Sequence, residues 1–386
     1  MLKNYKRILI VIFVVLGVCG AMWFVYHPSL ERMIGQMIIT GFHGNGQDVN
    51  SPEFVAISNQ IRDGQIGGVI LFDVDVHGLL KSGKTIDQAR QEIFSSNIQN
   101  LPQLQEMLAY LSALSSNKLL VAVDQEGGAV QRLKPQHGFV DTPSAKDLGQ
   151  GTSSVTYQTA YKMGQQLSRL GINVNFAPSL DVDINPASPA IGARGRSFSS
   201  DPDIVALHGD AFARGLSDAG VAFSFKHFPG HGSAGTDSHL GLTDITETYS
   251  DTELYPWRTL LADASDKAMV MVAHVVNRNW DDVPASLSSK IIKQIRDMGF
   301  EGVIVSDDMD MGAIVNQYGT YDAVLMAINA GNDILVFGNN LTYDANRGHD
   351  IHAMILDMVH SGKISKRRIR ASYRRIMRLK RALSAS

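Results

Sequence analysis

The sequence predicts an α/β fold, a (β/α)8 TIM-type barrel preceded by one N-terminal transmembrane helix. Eight short apolar runs alternate with longer helical stretches, and charged or histidine residues end several of those runs. A long uncharged segment near the N-terminus predicts the membrane helix. The predicted organisation is a cytoplasmic segment 1–7, a signal-anchor 8–26, a short linker 27–33 and a barrel 34–386 that closes with a basic helix.

The N-terminal segment 8–26 contains nineteen residues without a charge and follows Lys3, Lys6 and Arg7. This length is enough to span a bilayer, and the preceding positive charges predict a cytoplasmic N-terminus. The barrel would then be anchored to the inner membrane on its extracytoplasmic, periplasmic side. A cleaved signal peptide is the alternative, because Cys19-Gly20-Ala21 offers small residues of the kind that signal peptidase accepts. The apolar run extends beyond a usual signal core, which favours an uncleaved single-pass anchor.

The eight apolar runs are rich in Val, Ile, Leu, Phe and Met without alternation, as expected for parallel strands covered on both faces. They are 37–41, 67–72, 118–124, 173–178, 221–227, 268–274, 302–307 and 333–337. Segments between them, such as 156–170 and 203–219, carry helical patterns. Eight strand–helix units in about 350 residues predict a barrel. A doubly wound open sheet is the alternative, but no Gly-rich dinucleotide fingerprint follows the first run.

Polar residues at the ends of these runs support the barrel. Asp124 ends the third run, Lys226 and His227 the fifth, His274 the sixth and Asp307 the seventh. In a barrel the carboxyl ends of all strands open onto one face, so residues scattered in sequence converge there. The sequence therefore predicts one functional pocket at this face.

Composition excludes some classes of function. The chain has 386 residues, of which 44% are hydrophobic, enough for one large domain. The net charge is −3, and ten of the 35 Lys and Arg residues lie from Lys363 onward, where no Asp or Glu occurs. The remaining chain is acidic, which argues against nucleic-acid binding. The single cysteine, Cys19, excludes an internal disulfide and a thiolate metal cage, and nothing indicates a cofactor or an obligate protein partner.

The basic segment 363–381 has an apolar residue pattern of its own. Its apolar and aromatic residues recur at helical spacing: Ile369, Tyr373, Ile376, Leu379 and Leu383. This pattern predicts an amphipathic closing helix that packs on the barrel and leaves a solvated basic face. Contact of that face with anionic lipid headgroups is the alternative.

The most informative motif is Lys226-His227-Phe228-Pro229-Gly230-His231-Gly232, followed by Asp237-Ser238-His239. It places a lysine, three histidines and a carboxylate within fourteen residues. Because glycine and proline punctuate loops, these polar groups are expected on a loop that follows a buried strand. Such strand-end loops carry the chemistry of α/β enzymes.

A metal site is one interpretation of this block, since histidine and carboxylate side chains bind zinc. The candidate ligands are His227, His231, Asp237 and His239. The first predicted strand, however, leads into Phe42-His43-Gly44 without a pair of histidines two residues apart, and no HExxH motif occurs. The sequence therefore favours a site without metal.

The block resembles the KHFPGHG…DSH signature of glycoside hydrolase family 3, in its single-domain β-N-acetylhexosaminidase branch. Three further segments resemble motifs of the same family: Asp124–Arg132 (DQEGG…QR), Ile191–Phe198 (IGxRSF) and Ser306-Asp307-Asp308. The resemblance extends from about Arg32 to about Leu383.

The resemblance implies that Asp307 is the nucleophile of a retaining glycosidase. An ionised carboxylate below the sugar ring can trap the oxocarbenium-like centre as a glycosyl-enzyme. Asp308 is the alternative, although it is also placed to cap the following helix. The implied general acid/base is His239, with Asp237 as its partner. Histidine titrates near neutral pH, and a carboxylate two residues away can fix its tautomer and favour its protonated form.

The resemblance also implies which residues bind the sugar. The loop 191–198 is two residues longer than the family motif, so matching from Arg-Ser-Phe selects Arg196 whereas matching from Ile-Gly selects Arg194; Arg196 is favoured. Carboxylates accept sugar hydroxyls, and arginine is a multi-donor fork. The predicted substrate-binding residues are Asp124, Arg132, Arg196, Lys226, His227, His274 and Met311.

The family resemblance implies a retaining exo-β-N-acetylhexosaminidase that acts on peptidoglycan-derived, N-acetylglucosamine-containing saccharides during cell-wall turnover. A β-N-acetylglucosaminide phosphorylase is one alternative, because a histidine, unlike a glutamate, does not repel an incoming phosphate. A membrane-tethered sugar-binding barrel without turnover is the other.

Overall fold

The structure is a computed structural model that describes residues 28–83, 96–236 and 241–384. Its strands are β1 (Ile38–Gly41), β2 (Gly68–Ile70), β3 (Leu120–Val123), β4 (Val174–Asn175), β5 (Ala222–Phe228), β6 (Thr243–Asp244), β7 (Ala268–Val272), β8 (Val275–Val276), β9 (Val303–Asp308) and β10 (Ile334–Phe337). All strands except β6 and β8 form a closed parallel barrel in the order β1-β2-β3-β4-β5-β7-β9-β10. Pairing of Ile38 with Leu335 joins β1 to β10 and completes the closure.

The α-helices of the described ranges lie between these strands and at the two ends of the barrel domain. They are α1 (Leu30–Gly35), α2 (Pro52–Arg62), α3 (Val76–Lys81), α4 (Leu101–Leu114), α5 (Ala145–Gly149), α6 (Ser153–Leu170), α7 (Pro202–Asp218), α8 (Tyr255–Leu260), α9 (Ser289–Asp297), α10 (Gly312–Ala330), α11 (Arg347–His360) and α12 (Lys366–Ala382). Several begin at a residue whose side chain accepts a free backbone amide of the first turn, for example Ser51, Asn100 and Ser288.

The barrel prediction is confirmed, because each of the eight apolar runs overlaps one barrel strand. Every residue of β1, β2, β3, β7 and β10 is buried, which explains why these runs lack alternation. The run 173–178 was predicted too long, since β4 ends at Asn175. Pro178 lies just beyond it and has no amide hydrogen to donate to a neighbouring strand.

The C-terminal helix α12 packs its apolar residues on the barrel as predicted: Ile369 and Ile376 are fully buried. Part of the basic face is not solvated, however. The side chain of Lys380 is buried, and its Nζ atom donates to Gln36 Oε1 at 2.5 Å and to the carbonyl oxygen of Gly67 at 2.9 Å. Burial lowers the pKa of Lys380 to about 7.

A buried carboxylate binds other basic residues of α12 at the amino-terminal end of β10. Asp333 is fully buried, and its Oδ1 atom accepts Nη1 of Arg368 and Nη1 of Arg375, each at 3.2 Å. Its Oδ2 atom accepts Nη2 of Arg296 from α9 at 2.9 Å, and the hydroxyl of Ser372 donates to Oδ1 at 2.7 Å. One anion thus links α9 and α12 to the barrel wall.

The membrane prediction requires a correction. Over the residues that the structure describes, no helix is both long enough and apolar enough to cross a membrane. The predicted anchor 8–26, on which the extracytoplasmic placement depended, lies outside the described residues. The membrane-anchored placement therefore has no structural support and is abandoned.

We expect Asp333→Asn to destabilise the fold strongly, because it removes the charge that three arginines share. Leaving these partly buried arginines without their buried partner should cost a few kcal/mol, about the lower end of the range for broken buried ion pairs. Urea unfolding measures the change in the free energy of unfolding. The control is Asp297→Asn, which removes an exposed i,i+4 ion pair with Lys293 and should cost less than about 1 kcal/mol. Equal effects of the two substitutions would contradict the structural role of the buried carboxylate.

Candidate active site

A pocket opens at the carboxyl ends of the barrel strands. Its charged and histidine lining residues are Asp73, Asp124, Arg132, Lys134, Arg194, Arg196, Lys226, His227, His231, Asp307 and Asp308. Apolar side chains, among them Phe72, Val76 and Leu341, form part of its wall. The pocket encloses about 1380 Å³ of empty space, a volume that includes open solvent at its entrance. The predicted convergence of strand-end residues is thus observed for Asp124, Lys226, His227 and Asp307.

A buried ion cluster forms one side of the pocket. The Lys226 ammonium lies 3.0 Å from Asp124 Oδ1 and 2.6 Å from Glu126 Oε1, and the lysine is only 2% exposed. Arg196 binds Glu126 with two hydrogen bonds, from Nη2 to Oε1 at 2.7 Å and from Nε to Oε2 at 2.9 Å. Such a bidentate pair fixes the guanidinium plane as well as its position.

The pKa values of this cluster favour its ionised form. Burial alone would raise the pKa of Glu126, but the charges of Arg196 and Lys226 dominate and hold it far below its ordinary value. In the same way, burial opposes ionisation of Asp124, while Lys226 and Arg132 lower its pKa. Asp124 at the pocket wall and the buried Glu126 therefore stay charged despite little contact with water.

The geometry around His227 determines which of its nitrogens carries the proton. Nδ1 lies 2.6 Å from Asp181 Oδ2, and Nε2 lies 3.0 Å from Nη2 of Arg196. Since arginine can only donate, Nε2 accepts this hydrogen bond and Nδ1 donates its proton to Asp181. Asp181 is fully buried; burial opposes its ionisation, but His227 lowers its pKa well below the ordinary range.

The predicted sugar-binding Arg132 lies between two carboxylates of the pocket. Its Nη2 is 3.4 Å from Asp124 Oδ2 and its Nη1 is 3.7 Å from Asp73 Oδ1. Lys134 lies 2.5 Å from the other oxygen of Asp73, and the guanidinium of Arg132 lies over the ring of Phe72. These contacts hold two cations at the pocket wall.

The two adjacent aspartates at the end of β9 differ in their surroundings. Both line the pocket, and Asp307 Oδ1 accepts the amide of Asp308 at 2.8 Å. Asp308 Oδ1 accepts the amides of Gly338 at 2.7 Å and of Asp310 at 2.9 Å. Burial and the negative charges of Asp310 and Asp307 raise the pKa of Asp308 to about 8. These surroundings favour the neutral form of Asp308.

His274 and Met311 do not line the pocket, although both were predicted to contact substrate. His274 is fully buried, with Nε2 3.0 Å from the carbonyl oxygen of Asp308 and Nδ1 2.7 Å from the Ser286 hydroxyl. This geometry places His274 behind the end of β9, where it supports the backbone that carries the aspartates. Met311 is also fully buried and precedes α10.

The predicted acid/base pair, Asp237 and His239, lies outside the described residues. Arg194 and Arg196, the two alternatives for the sugar-binding arginine, both line the pocket. They differ in their partners, because Arg194 Nε donates to the carbonyl oxygen of Pro189 whereas Arg196 joins the ion cluster.

Sequence reasoning missed four carboxylate and ammonium groups of the site: Asp73, Glu126, Lys134 and Asp181. Glu126 stands within the DQEGG segment and could have been found from that motif. Asp181 lies beyond the fourth run in a stretch without any motif, and its partner His227 is 46 residues away. Of the metal ligands considered, His227 already uses both ring nitrogens, and within the described ranges no cluster of His, Cys, Asp and Glu fits a metal ion.

Comparisons with known proteins agree with this architecture. The model of the family described as glycosyl hydrolase family 3 N terminal domain matches residues 29–379. A relative named beta-hexosaminidase A, from Pseudoalteromonas piscicida, is 33% identical over 322 residues, which cover 76% of this chain and 53% of that protein. A relative named beta-hexosaminidase, from Neisseria meningitidis serogroup C, is 37% identical over 260 residues, covering 64% of this chain and 70% of that protein.

Among solved structures, a glycoside hydrolase family 3 β-N-acetylglucosaminidase from Paenibacillus sp. str. FPU-7 is similar with a TM-score of 0.79 and 32% identity. The similarity covers 93% of this chain and 63% of that one. This chain thus spans about half the length of the Pseudoalteromonas relative and less than two thirds of the Paenibacillus protein.

We expect Glu126→Gln to lower the free energy of unfolding by about 3–5 kcal/mol at pH 7, because Lys226 and Arg196 lose a buried anion. A depressed carboxyl pKa contributes stability above the unfolded-state value of 4.5, and this contribution is lost as the pH falls toward the folded-state pKa. The difference between wild type and variant should therefore shrink below pH 4.5.

Urea unfolding at a series of pH values tests this expectation. Glu106→Gln, at an exposed position of α4, is the control and should change stability little at any pH. A pH-independent loss in Glu126→Gln would contradict the charge-based explanation.

Proposed function

This chain belongs to glycosyl hydrolase family 3, as its motifs indicated, and we propose that it is a retaining exo-β-N-acetylhexosaminidase. Its proposed substrates are peptidoglycan-derived saccharides with a terminal β-linked N-acetylglucosamine. The main support is the position of Asp307 in a pocket whose wall also presents Asp124, Arg132 and Lys226. The names of its relatives, beta-hexosaminidase and β-N-acetylglucosaminidase, support the same class of substrate.

The ion cluster suits recognition of sugar hydroxyls. Asp124 is ionised and partly exposed, so its oxygens can accept hydroxyl hydrogens in addition to their contacts with Lys226 and Arg132. The two cations donate in turn to hydroxyl oxygens. Because Glu126 and Asp73 hold these groups in place before substrate binds, little conformational entropy is lost on binding.

Asp307 is the proposed nucleophile. Its carboxylate would attack the anomeric carbon and form a glycosyl-enzyme, while the bond to the leaving oxygen breaks. The alternative nucleophile, Asp308, is a poor candidate for a physical reason. Its Oδ1 is already occupied by two backbone amides, and burial together with the neighbouring carboxyl groups raises its pKa and favours the protonated form. A protonated carboxyl is a weak nucleophile.

The proposed general acid/base is His239 with Asp237, on the basis of the DSH motif. Protonated His239 would donate its proton to the leaving oxygen in the first step. The neutral imidazole would then remove a proton from the water that attacks the glycosyl-enzyme, which frees Asp307 and restores the acid. An inverting mechanism forms no glycosyl-enzyme. Trapping that species therefore distinguishes a retaining from an inverting mechanism.

The first test is turnover of an aryl N-acetyl-β-glucosaminide by wild type and by Asp307→Asn. Loss of the nucleophile should reduce kcat by about 10⁴-fold or more, whereas sugar binding should persist. Asp308→Asn is the matched control and should retain much more activity, since the asparagine Oδ1 can still accept the amides of Gly338 and Asp310. Activity that survives in Asp307→Asn but is lost in Asp308→Asn would move the assignment by one residue.

Two outcomes of the same assay address the alternative functions. Release of N-acetylglucosamine 1-phosphate when inorganic phosphate is added would identify a phosphorylase. Binding of N-acetylglucosamine without turnover of any substrate would identify a sugar-binding barrel.

The second test concerns the acid/base. His239→Ala should lower the rate of glycosylation by about 10²–10⁴-fold for substrates with poor leaving groups, which need protonation. Substrates with good leaving groups should be affected less in this step, because their departure requires little help from a proton. Asp237→Ala should show a milder version of the same pattern. Equal losses across a series of leaving groups would contradict the role of His239.

A further inference from the structure

Two buried carboxylates bind consecutive backbone amides of the segment that follows β5. The amide of His231 donates to Asp181 Oδ1 at 2.8 Å, and the amide of Gly232 donates to Glu253 Oε2 at 2.9 Å. Asp181 also binds the His227 ring in the pocket. Glu253, in contrast, contacts the same segment from the side of residues 249–257 and does not line the pocket.

Further contacts from residues 249–257 fix the same segment, Pro229–Ser233. The hydroxyl of Tyr249 donates to the carbonyl oxygen of Pro229 at 3.0 Å. Trp257, fully buried, meets the ring of Phe228 edge-on with 5.1 Å between centroids. The segment is therefore bound through its backbone, at the carbonyl oxygen of Pro229 by Tyr249 and at the amide of Gly232 by Glu253.

The glycines of this segment permit the close approach. At Gly230, with φ of 138°, a Cβ atom would lie 2.7 Å from Glu253 Oε2. At Gly232 a Cβ atom would lie 1.7 Å from the carbonyl oxygen of Val182, which would be a severe clash. The backbone of this segment is thus in direct contact with the Glu253 carboxyl group, and no side chain fits between them.

Glu253 has an unusual environment for a carboxyl group. It is fully buried, and no ion pair in the described part of the chain involves it. No hydrogen bond of normal geometry reaches Oε1 from the described residues, although the nearby Ser233 hydroxyl favours the charged form. Burying a carboxyl group with so few partners costs free energy that an apolar side chain would not cost. Its presence therefore indicates a role that an apolar side chain cannot fill.

We propose that Glu253 is a positioning residue for the hydrolytic reaction, which holds the segment Pro229–Ser233 so that His227 and His231 keep their places in the pocket. This inference rests on the proposed function. The rings of these histidines lie 5.9 Å apart at 69°. His227 binds Asp181 through its ring, and His231 binds Asp181 through its backbone amide. Loss of the Gly232 contact would let the segment shift away from Asp181 and disturb the ring that Arg196 and Asp181 orient.

The protonation of Glu253 gives this arrangement a measurable signature. Burial raises the pKa of Glu253 to about 7, and the charge of Asp181 adds to the shift, while Ser233 and the amides of Gly232 and Ser250 oppose it. The titratable groups that face it are Asp181 from beyond β4, His231 from the segment itself and Tyr249 from its own side. Burial lowers the pKa of His231 to about 4, so His231 stays neutral where Glu253 titrates.

The sign of the pH effect follows from the raised pKa. Stability that depends on a protonated Glu253 is fully present below the unfolded-state value of 4.5 and is lost as the pH rises through about 7. A glutamine at this position cannot titrate. Wild type should therefore lose stability relative to Glu253→Gln between pH 4.5 and pH 7, and the difference should level off above that range.

The experiment compares wild type, Glu253→Gln, Glu253→Ala and Ser372→Ala as full-length chains. Each is assayed with an aryl N-acetyl-β-glucosaminide for kcat and KM from pH 5 to pH 8 and unfolded in urea over the same range. Ser372→Ala is the control for mere loss of stability, because it removes a buried hydroxyl near the amino-terminal end of the barrel, remote from the pocket.

We expect Glu253→Ala to lower kcat by about ten- to hundredfold, the size of effect that a small misplacement of reacting groups produces. KM should change less than kcat, and Glu253→Gln, whose amide oxygen can still accept the Gly232 amide, should restore most of the activity. Ser372→Ala should lose stability without a comparable loss of kcat.

The outcomes separate this inference from the proposed function. Absence of turnover by wild type would overturn the proposed function and the positioning role that depends on it. Normal turnover by wild type together with a fully active Glu253→Ala would overturn the positioning role alone. The positioning role would also be overturned if Ser372→Ala, at the same stability as Glu253→Ala, lost as much kcat. It would be overturned as well if Glu253→Gln did not restore the kcat that Glu253→Ala loses.

Discussion

The structure of the pocket depends on the cost of burying charge at the carboxyl ends of the barrel strands. Lys226 and Glu126 are almost without contact with water, so each requires an opposite charge within hydrogen-bond distance. Arg196 and Asp124 complete the set. Because every member is held by at least one other, the positions of the side chains that face the pocket are fixed before any ligand enters. Rigidity here is a consequence of electrostatics.

The same principle divides the pocket into groups with different chemistry. Carboxylates next to lysine or arginine, such as Asp124, remain charged and suit hydroxyl recognition. Burial and the neighbouring carboxyl groups raise the pKa of Asp308 and favour its neutral form. Asp307, the preceding residue, lines the same pocket. The amides of Gly338 and Asp310, however, donate to Asp308. Environment, and not residue type, thus separates two adjacent aspartates that the sequence presents as equal candidates.

Charge serves a different purpose at the opposite end of the barrel. There Asp333 joins three arginines and links α9 and α12 to the wall, far from the pocket. A prediction from helical spacing found the apolar face of α12 but assumed that its basic residues are all solvated. Asp333, the carboxylate that binds Arg368 and Arg375, lies outside α12. Helical periodicity within α12 contains no information about a partner elsewhere in the chain.

The sequence by itself determined the barrel and the strand-end residues, because both follow from local regularities. Buried parallel strands require uninterrupted apolar runs, and closure brings their carboxyl ends to one face. Thus Asp124, Lys226, His227 and Asp307 could be placed from the pattern alone. Only the tertiary structure decided the partners: Glu126 with Arg196, 70 residues apart, and Asp181 with His227, 46 residues apart. It also placed His274 Nε2 within hydrogen-bond distance of a backbone carbonyl oxygen. Side-chain direction and long-range pairing depend on how separate elements pack, and no local pattern specifies that.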